Sequence, residues 1–89
     1  MIYVHTIPVT ASSIRIMGAN LDTVKIEANG ISFIKFHAKS FIEDLQNAGQ
    51  TFYLDVVGRA NLNEWMGRVT PQLFIEDYDI KPYKVDLGF

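Results

Sequence analysis

Residues 23–57 read "TVKIEANGISFIKFHAKSFIEDLQNAGQTFYLDVV", and the order of periodicities within them decides the fold. "TVKIEA" (23–28) alternates, with Val24 and Ile26 on one face and Thr23, Lys25 and Glu27 on the other, the period-two pattern of a half-buried strand. Asn29-Gly30 follows, a hairpin signal because both central residues of a type I′ turn need positive φ. "ISFIKF" (31–36) returns as the partner strand. The period then lengthens. Ser40 and Glu43 stand at capping-box spacing. Phe41 and Leu45, with Ile42 and Ala48, form an apolar stripe, and Gly49 is a natural helix stop. This spacing predicts a short helix. "TFYLDVV" (51–57) alternates again, with Phe52, Leu54 and Val56 facing one way and Tyr53 the other.

Working outward, "SSIRIM" (12–17) is a short strand apolar at Ile14 and Ile16, closed by the turn signal "GAN". Downstream, "QLFIEDYDI" (72–80) is the last clear strand. Between it and "TFYLDVV" lies "GRANLNEWMGRVTPQ" (58–72), which reads as a loop far longer than a plain hairpin needs. In that reading Asn61 and Asn63 form turns, and Gly67 supplies a positive φ. The order is three strands, a helix, a strand, a long loop and a strand. That is the connectivity of the OB-fold, a mainly β, five-stranded, partly open barrel with one short helix between its third and fourth strands. Its ligand-flanking loops would be 18–22 and 58–72. "MIYVHTIPV" is an extra strand or a lengthening of the first one. "KPYKVDLGF", alternating Tyr83, Val85 and Leu87, is a sixth strand or a connection. The expectation is one OB domain over 1–89, with 1–11 and 81–89 as flanking segments.

Eighty-nine residues, 48% hydrophobic and 20% charged, suit one globular domain with its own core. The chain has no cysteine, which removes disulfide frameworks and thiolate-ligated metal sites and fits a reducing, cytoplasmic setting. No stretch approaches the roughly 18–20 apolar residues of a membrane helix, so no membrane partner is expected. The net charge is −2, so any nucleic-acid contact must be local rather than a wholesale basic surface.

"LDVVGRANLNEWMGRVTPQLFIEDYDI" (54–80) resembles the C-terminal OB-fold domain of RecJ-type single-stranded-DNA exonucleases, on Asn63, Glu64, Trp65, Gly67, Gln72, Leu73 and Asp77. "IRIMGANLDTVKI" and "ISFIKF" resemble the upstream half of that domain, so the likeness covers residues 12–80. It implies a module that grips single-stranded DNA for an attached 5′→3′ exonuclease of DNA repair and recombination. Manganese or magnesium would sit in that enzyme's catalytic domains, which carry a D-H-H motif. This chain has no D-H-H, and its histidines, His5 and His37, are far apart. The expectation is therefore a non-catalytic piece of such an enzyme, ahead of a small free-standing relative, with no cofactor of its own. Its partners would be single-stranded DNA and the parent catalytic domains. The alternative is an interdomain or partner-docking scaffold with little DNA affinity.

The candidate DNA-binding residues are Arg59, Arg68, Trp65, Lys25, Lys35 and Tyr53, with Arg15 a weaker member. Arg59 and Arg68 bracket the long stretch and suit phosphates, or pair with Glu64 or Asp22. Trp65 is a stacking platform for a base or an anchor that packs the stretch onto the barrel. Lys25 and Lys35 flank the Asn-Gly turn, and Tyr53 is an aromatic on a polar strand face. Asn63, Glu64, Gly67, Gln72 and Asp77 are read as loop architecture. Phe33, Phe36, Phe41 and Phe52 are expected in the core, and His37 as a cap or core residue. Asp77 and Asp79 share a strand face, a spacing suited to a divalent cation, but without further ligands no metal site is assigned.

Overall fold

The alternating runs and the single helical period become six strands and one helix in a computed structural model that describes residues 1–82. The strands are β1 (Ile2–Thr10), β2 (Ile14–Met17), β3 (Thr23–Ala28), β4 (Ile31–Lys35), β5 (Thr51–Trp65) and β6 (Arg68–Pro82). Helix α1 (Lys39–Asn47) lies between β4 and β5. One sheet runs in the order β1-β5-β6-β4-β3-β2, with β4 and β6 parallel and every other neighbour antiparallel. The sixth strand corrects the expected count of five. β1 and β2 are the two halves of one bent segment, parted by a 3₁₀ turn at Ala11–Ser13. Ser13 Oγ donates to the Thr10 carbonyl at 2.8 Å, a local bond that favours a turn over continued strand. One half pairs with β5 and the other with β3, so the OB-like cylinder stays unlaced at this seam, where no ladder joins β1 to β2.

The predicted hairpin forms as β3–β4, with Asn29 and Gly30 at φ 53° and 76°. Ile7, Val9, Val24, Ile26, Phe33, Phe52, Leu54 and Val56 point inward and are buried. Phe41 and Leu45 of α1 close one side of this core. Tyr78 of β6 fixes the helix: its ring centroid is 4.1 Å from that of Phe41, and its hydroxyl donates to Asp44 Oδ2 at 2.5 Å. The helix is not started by the expected capping box. Ala38 is the N-cap and offers no side-chain hydrogen bond, while its own amide donates to the Asp22 carbonyl at 2.6 Å. His37 is neither cap nor core. Its side chain is 93% exposed, with Nδ1 3.7 Å from Asp22 Oδ2.

The largest correction concerns residues 58–72, which are not a loop. β5 and β6 each run for 15 residues and meet at the two-residue turn Met66-Gly67. β1 leaves β5 at Gly58, and β4 leaves β6 at Gln72. Beyond Gly58 the β5 residues pair with β6 alone, and from Leu62–Trp65 opposite Arg68–Pro71 the two strands pair only with each other, as a two-stranded arm. At about 3.3 Å per residue such strands are close to 50 Å long, which is the longest dimension of the molecule, 50 × 27 × 24 Å. Asn61 and Asn63 are strand residues of this arm rather than turn formers.

A bulge marks the arm's root. The partner of Val57 is Asp77 but that of Gly58 is Ile75, which leaves Glu76 as an extra residue on β6. Gly58 is required there: a Cβ would collide with the Phe74 carbonyl oxygen and lie 2.8 Å from the Phe74 carbonyl carbon and from Leu73 Cδ2. A second bulge, at His5–Thr6 of β1, is held by Asp55, whose Oδ1 accepts the Thr6 amide at 2.7 Å while Oδ2 lies 2.9 Å from Lys81 Nζ. Residues 83–89 lie outside the described residues, and with them the expectation for Tyr83, Val85 and Leu87.

Candidate nucleic-acid interface

Residues paired across a ladder present their side chains on the same face, so the four registers place distant parts of the sequence in rows. Arg15 pairs with Lys25, Lys25 with Ile34, Ile34 with Phe74, and Phe74 with Arg59. These five residues cross β2, β3, β4, β6 and β5 in one line on the outer face. Four interstrand spacings make the line about 19 Å long. Beside it runs a polar row of Glu27, Ser32, Gln72 and Asn61. Phe36 extends the first row's aromatic centre, with its ring stacked on Phe74 at 5.9 Å between centroids. Phe36 is 56% exposed, which corrects its expected place in the core: β4 ends at Lys35, and Phe36 falls outside the ladder.

Two of the three cations in the row already have carboxylate neighbours. Lys25 Nζ is 3.4 Å from Glu27 Oε1, and Arg59 Nε is 3.0 Å from Glu76 Oε1 rather than near Glu64 or Asp22. Exposed pairs of this kind are worth at most about 1 kcal/mol, so a phosphate can exchange for the carboxylate at small cost. Arg15 has no ion-pair partner among the described residues. The row therefore offers cations at both ends and stacked rings near one of them, a combination that suits a charged backbone bearing flat bases.

The other candidates fall elsewhere. Lys35 pairs with buried Val24 and so lies on the opposite face of the sheet from Lys25, not beside it. Tyr53 is half-buried between Pro8 and Lys81 in the ladders. Arg68 opens β6 at the far end of the arm, where it is exposed and opposite Trp65. Asn63 pairs with Thr70 on the arm's outer face, and Glu64 with Val69 on its inner face. Gly67, at φ 78°, completes the turn. Asp77 lies beside the bulge and accepts the Tyr78 amide at 2.9 Å. Arg15, Phe36 and Phe74 are the members that sequence reasoning underweighted. A concavity of about 420 Å³ lies between α1 and β2 and is lined by Ala11, Ile14, Ile16, Ile42 and Leu45 among others. It is apolar and on a different part of the surface.

Comparison with known proteins agrees with this architecture. A family model described as the RecJ OB domain matches residues 3–77. The chain belongs to the RecJ OB domain family. It is also 31% identical over 62 residues to a putative SPbeta prophage-derived single-strand DNA-specific exonuclease, YorK, of Bacillus subtilis (strain 168). The same identity holds for the putative single-strand DNA-specific exonuclease of Bacillus phage SPbeta. The aligned region is 68% of this chain but only 11% of either relative, so the RecJ OB domain corresponds to a small part of those proteins. Among the described residues there is no group of three or more His, Asp or Glu placed to hold a metal ion. Among them, too, no helix is long and apolar enough to cross a membrane.

Proposed function

We propose that this RecJ OB domain grips single-stranded DNA and guides it to the catalytic domains of a RecJ-like 5′→3′ exonuclease of DNA repair and recombination in the cytoplasm. The observation that carries the reading is the outer-face row of Arg15, Lys25, Ile34, Phe74 and Arg59, with Phe36 stacked on Phe74. The strand's phosphates lie against the three cations, and its bases meet the two rings. Gln72, Asn61 and Asn63 on the same face supply hydrogen bonds as the strand turns up the arm toward Arg68. Cleavage, and the manganese or magnesium it uses, belong to the attached catalytic domains.

The test is fluorescence anisotropy of labelled oligo-dT at several salt concentrations, beside duplex of equal length. Three phosphate contacts give a slope of log affinity against log salt near −2, at about 0.7 per contact. Arg59→Ala with Lys25→Ala should flatten that slope toward one contact. Equal affinity for duplex, or no binding at low salt, overturns the reading. A second reading, a docking scaffold for the catalytic domains, is favoured by the apolar concavity between α1 and β2, where Ile16 is 41% exposed. It predicts that Ile16→Lys separates the domain from its parent enzyme and leaves oligo-dT affinity unchanged.

A further inference from the structure

The molecule contains two turns of the same backbone shape but different chemistry. Asn29-Gly30 has φ 53° and 76°, and Met66-Gly67 has φ 50° and 78°. Asparagine suits the first position because its side chain tolerates left-handed backbone through local hydrogen bonds. Methionine gains no such bond and bears the steric cost. It is also 87% exposed, the highest value among the large apolar side chains of the described residues. Both backbone preference and hydration therefore disfavour Met66 where it stands. An outlier of this kind points to a contact made at that position.

The arm's two faces indicate what the contact is. The outer face carries Arg59 and Arg68, with Asn61, Asn63, Thr70 and Gln72 between them, and so attracts a phosphate chain. The inner face carries Glu64 with exposed Leu62 and Val69, a mostly apolar surface whose one charge is acidic and which favours a phosphate chain less. A narrow projection with one basic, polar face, one mostly apolar face and a polarizable apolar tip matches a DNA fork. One strand follows the outer face, and the other is turned away. The bases of a duplex are covered by their neighbours except at its end, where a thioether can lie on the last exposed pair.

We infer that Met66 is a wedge that stacks on the terminal base pair where single strand meets duplex, so that the preferred ligand is a single strand emerging from a duplex rather than a free one. The inference rests on the single-strand reading above. It is tested by anisotropy with two probes, an oligo-dT and a duplex carrying the same dT tail, using wild type and Met66→Asn. The asparagine restores the favoured turn, so the variant folds at least as stably, which thermal unfolding checks. Wild type should bind the tailed duplex on the order of fivefold more tightly than the tail alone. Met66→Asn should lose that preference and keep its affinity for the tail. Equal binding of both probes by wild type, or a preference retained in Met66→Asn, overturns the wedge. Failure to bind either probe overturns the single-strand reading itself.

Discussion

Gly58→Ala should be among the most damaging single-methyl additions in this domain. The new Cβ would sit inside van der Waals contact of the Phe74 carbonyl oxygen and 2.8 Å from both the Phe74 carbonyl carbon and Leu73 Cδ2. Ordinary carbon contacts are about 3.5–4.0 Å, so β5 and β6 must part by about 1 Å at the arm's root. Two of the three obstructing atoms are backbone, and no rotamer change relieves them. Parting the strands weakens the ladder beside the bulge and loosens Leu73 and Ile75, which are 4% and 6% exposed. Overpacking with backbone displacement of this kind costs about 2–4 kcal/mol. At about 4–8 °C per kcal/mol for a domain of this size, the melting temperature should fall by about 10–25 °C. Gly67→Ala is the control, since nothing lies within 4 Å of its Cβ and only the positive φ is strained. It should lose about 1 kcal/mol. Urea and thermal unfolding of both variants measure the difference. A Gly58→Ala domain within about 0.5 kcal/mol of wild type would refute the close approach of the two backbones.

Further outcomes follow from the same geometry. Asp55→Ala leaves the Thr6 amide without its acceptor and should cost about 1–3 kcal/mol in urea unfolding. The Lys81 hydrogen bond, and after it the Thr6 amide, hold the Asp55 carboxyl below its ordinary value. Its contribution is therefore present above the ordinary carboxylate pKa and is lost as pH falls through the lowered one, so the acid limb of the stability curve should flatten in Asp55→Asn. Burial, reinforced by the bond to Asp44, pushes the Tyr78 hydroxyl up to about 12; absorbance titration should show an ionisation near there that vanishes in Tyr78→Phe, at a stability cost of about 0.5–1.5 kcal/mol. Phe36→Ala should unfold like wild type, because the ring is mostly exposed, yet lose about 1–3 kcal/mol of oligo-dT affinity if it stacks on a base.

Elements that bury one face were the legible ones. Val24 and Ile26 against Lys25 and Glu27, the Asn29-Gly30 turn, and the Phe41–Leu45 stripe each carry a local signal with a single physical cause. The arm carries almost none. Both its faces are solvated, so Leu62 and Val69 need no alternation strong enough to be read, and its Asn, Gly and Pro residues are those of loops. Its turn hides because Met66 stands where asparagine usually would. Only the paired spacing of weak alternations about Met66-Gly67 could have revealed it. The outer-face row was out of reach for another reason: joining Arg15 to Arg59 takes four correct registers, and one slipped residue moves a side chain to the other face. Lys25 and Lys35 illustrate this, since they look adjacent across the Asn-Gly turn yet fall on opposite faces. The family likeness found the domain through the motif of the arm, without disclosing that the motif is a β-ribbon.

The most direct measurement is NMR chemical-shift mapping of this chain titrated with oligo-dT. Binding across the outer-face row should shift the amides of Arg15, Lys25, Ile34, Phe74 and Arg59 together, with smaller changes running up the arm to Arg68. Shifts gathered instead around Ile14, Ile16 and Leu45 would put the ligand in the concavity between α1 and β2 and contradict the assigned interface; no shifts at saturating oligo-dT would contradict DNA gripping altogether.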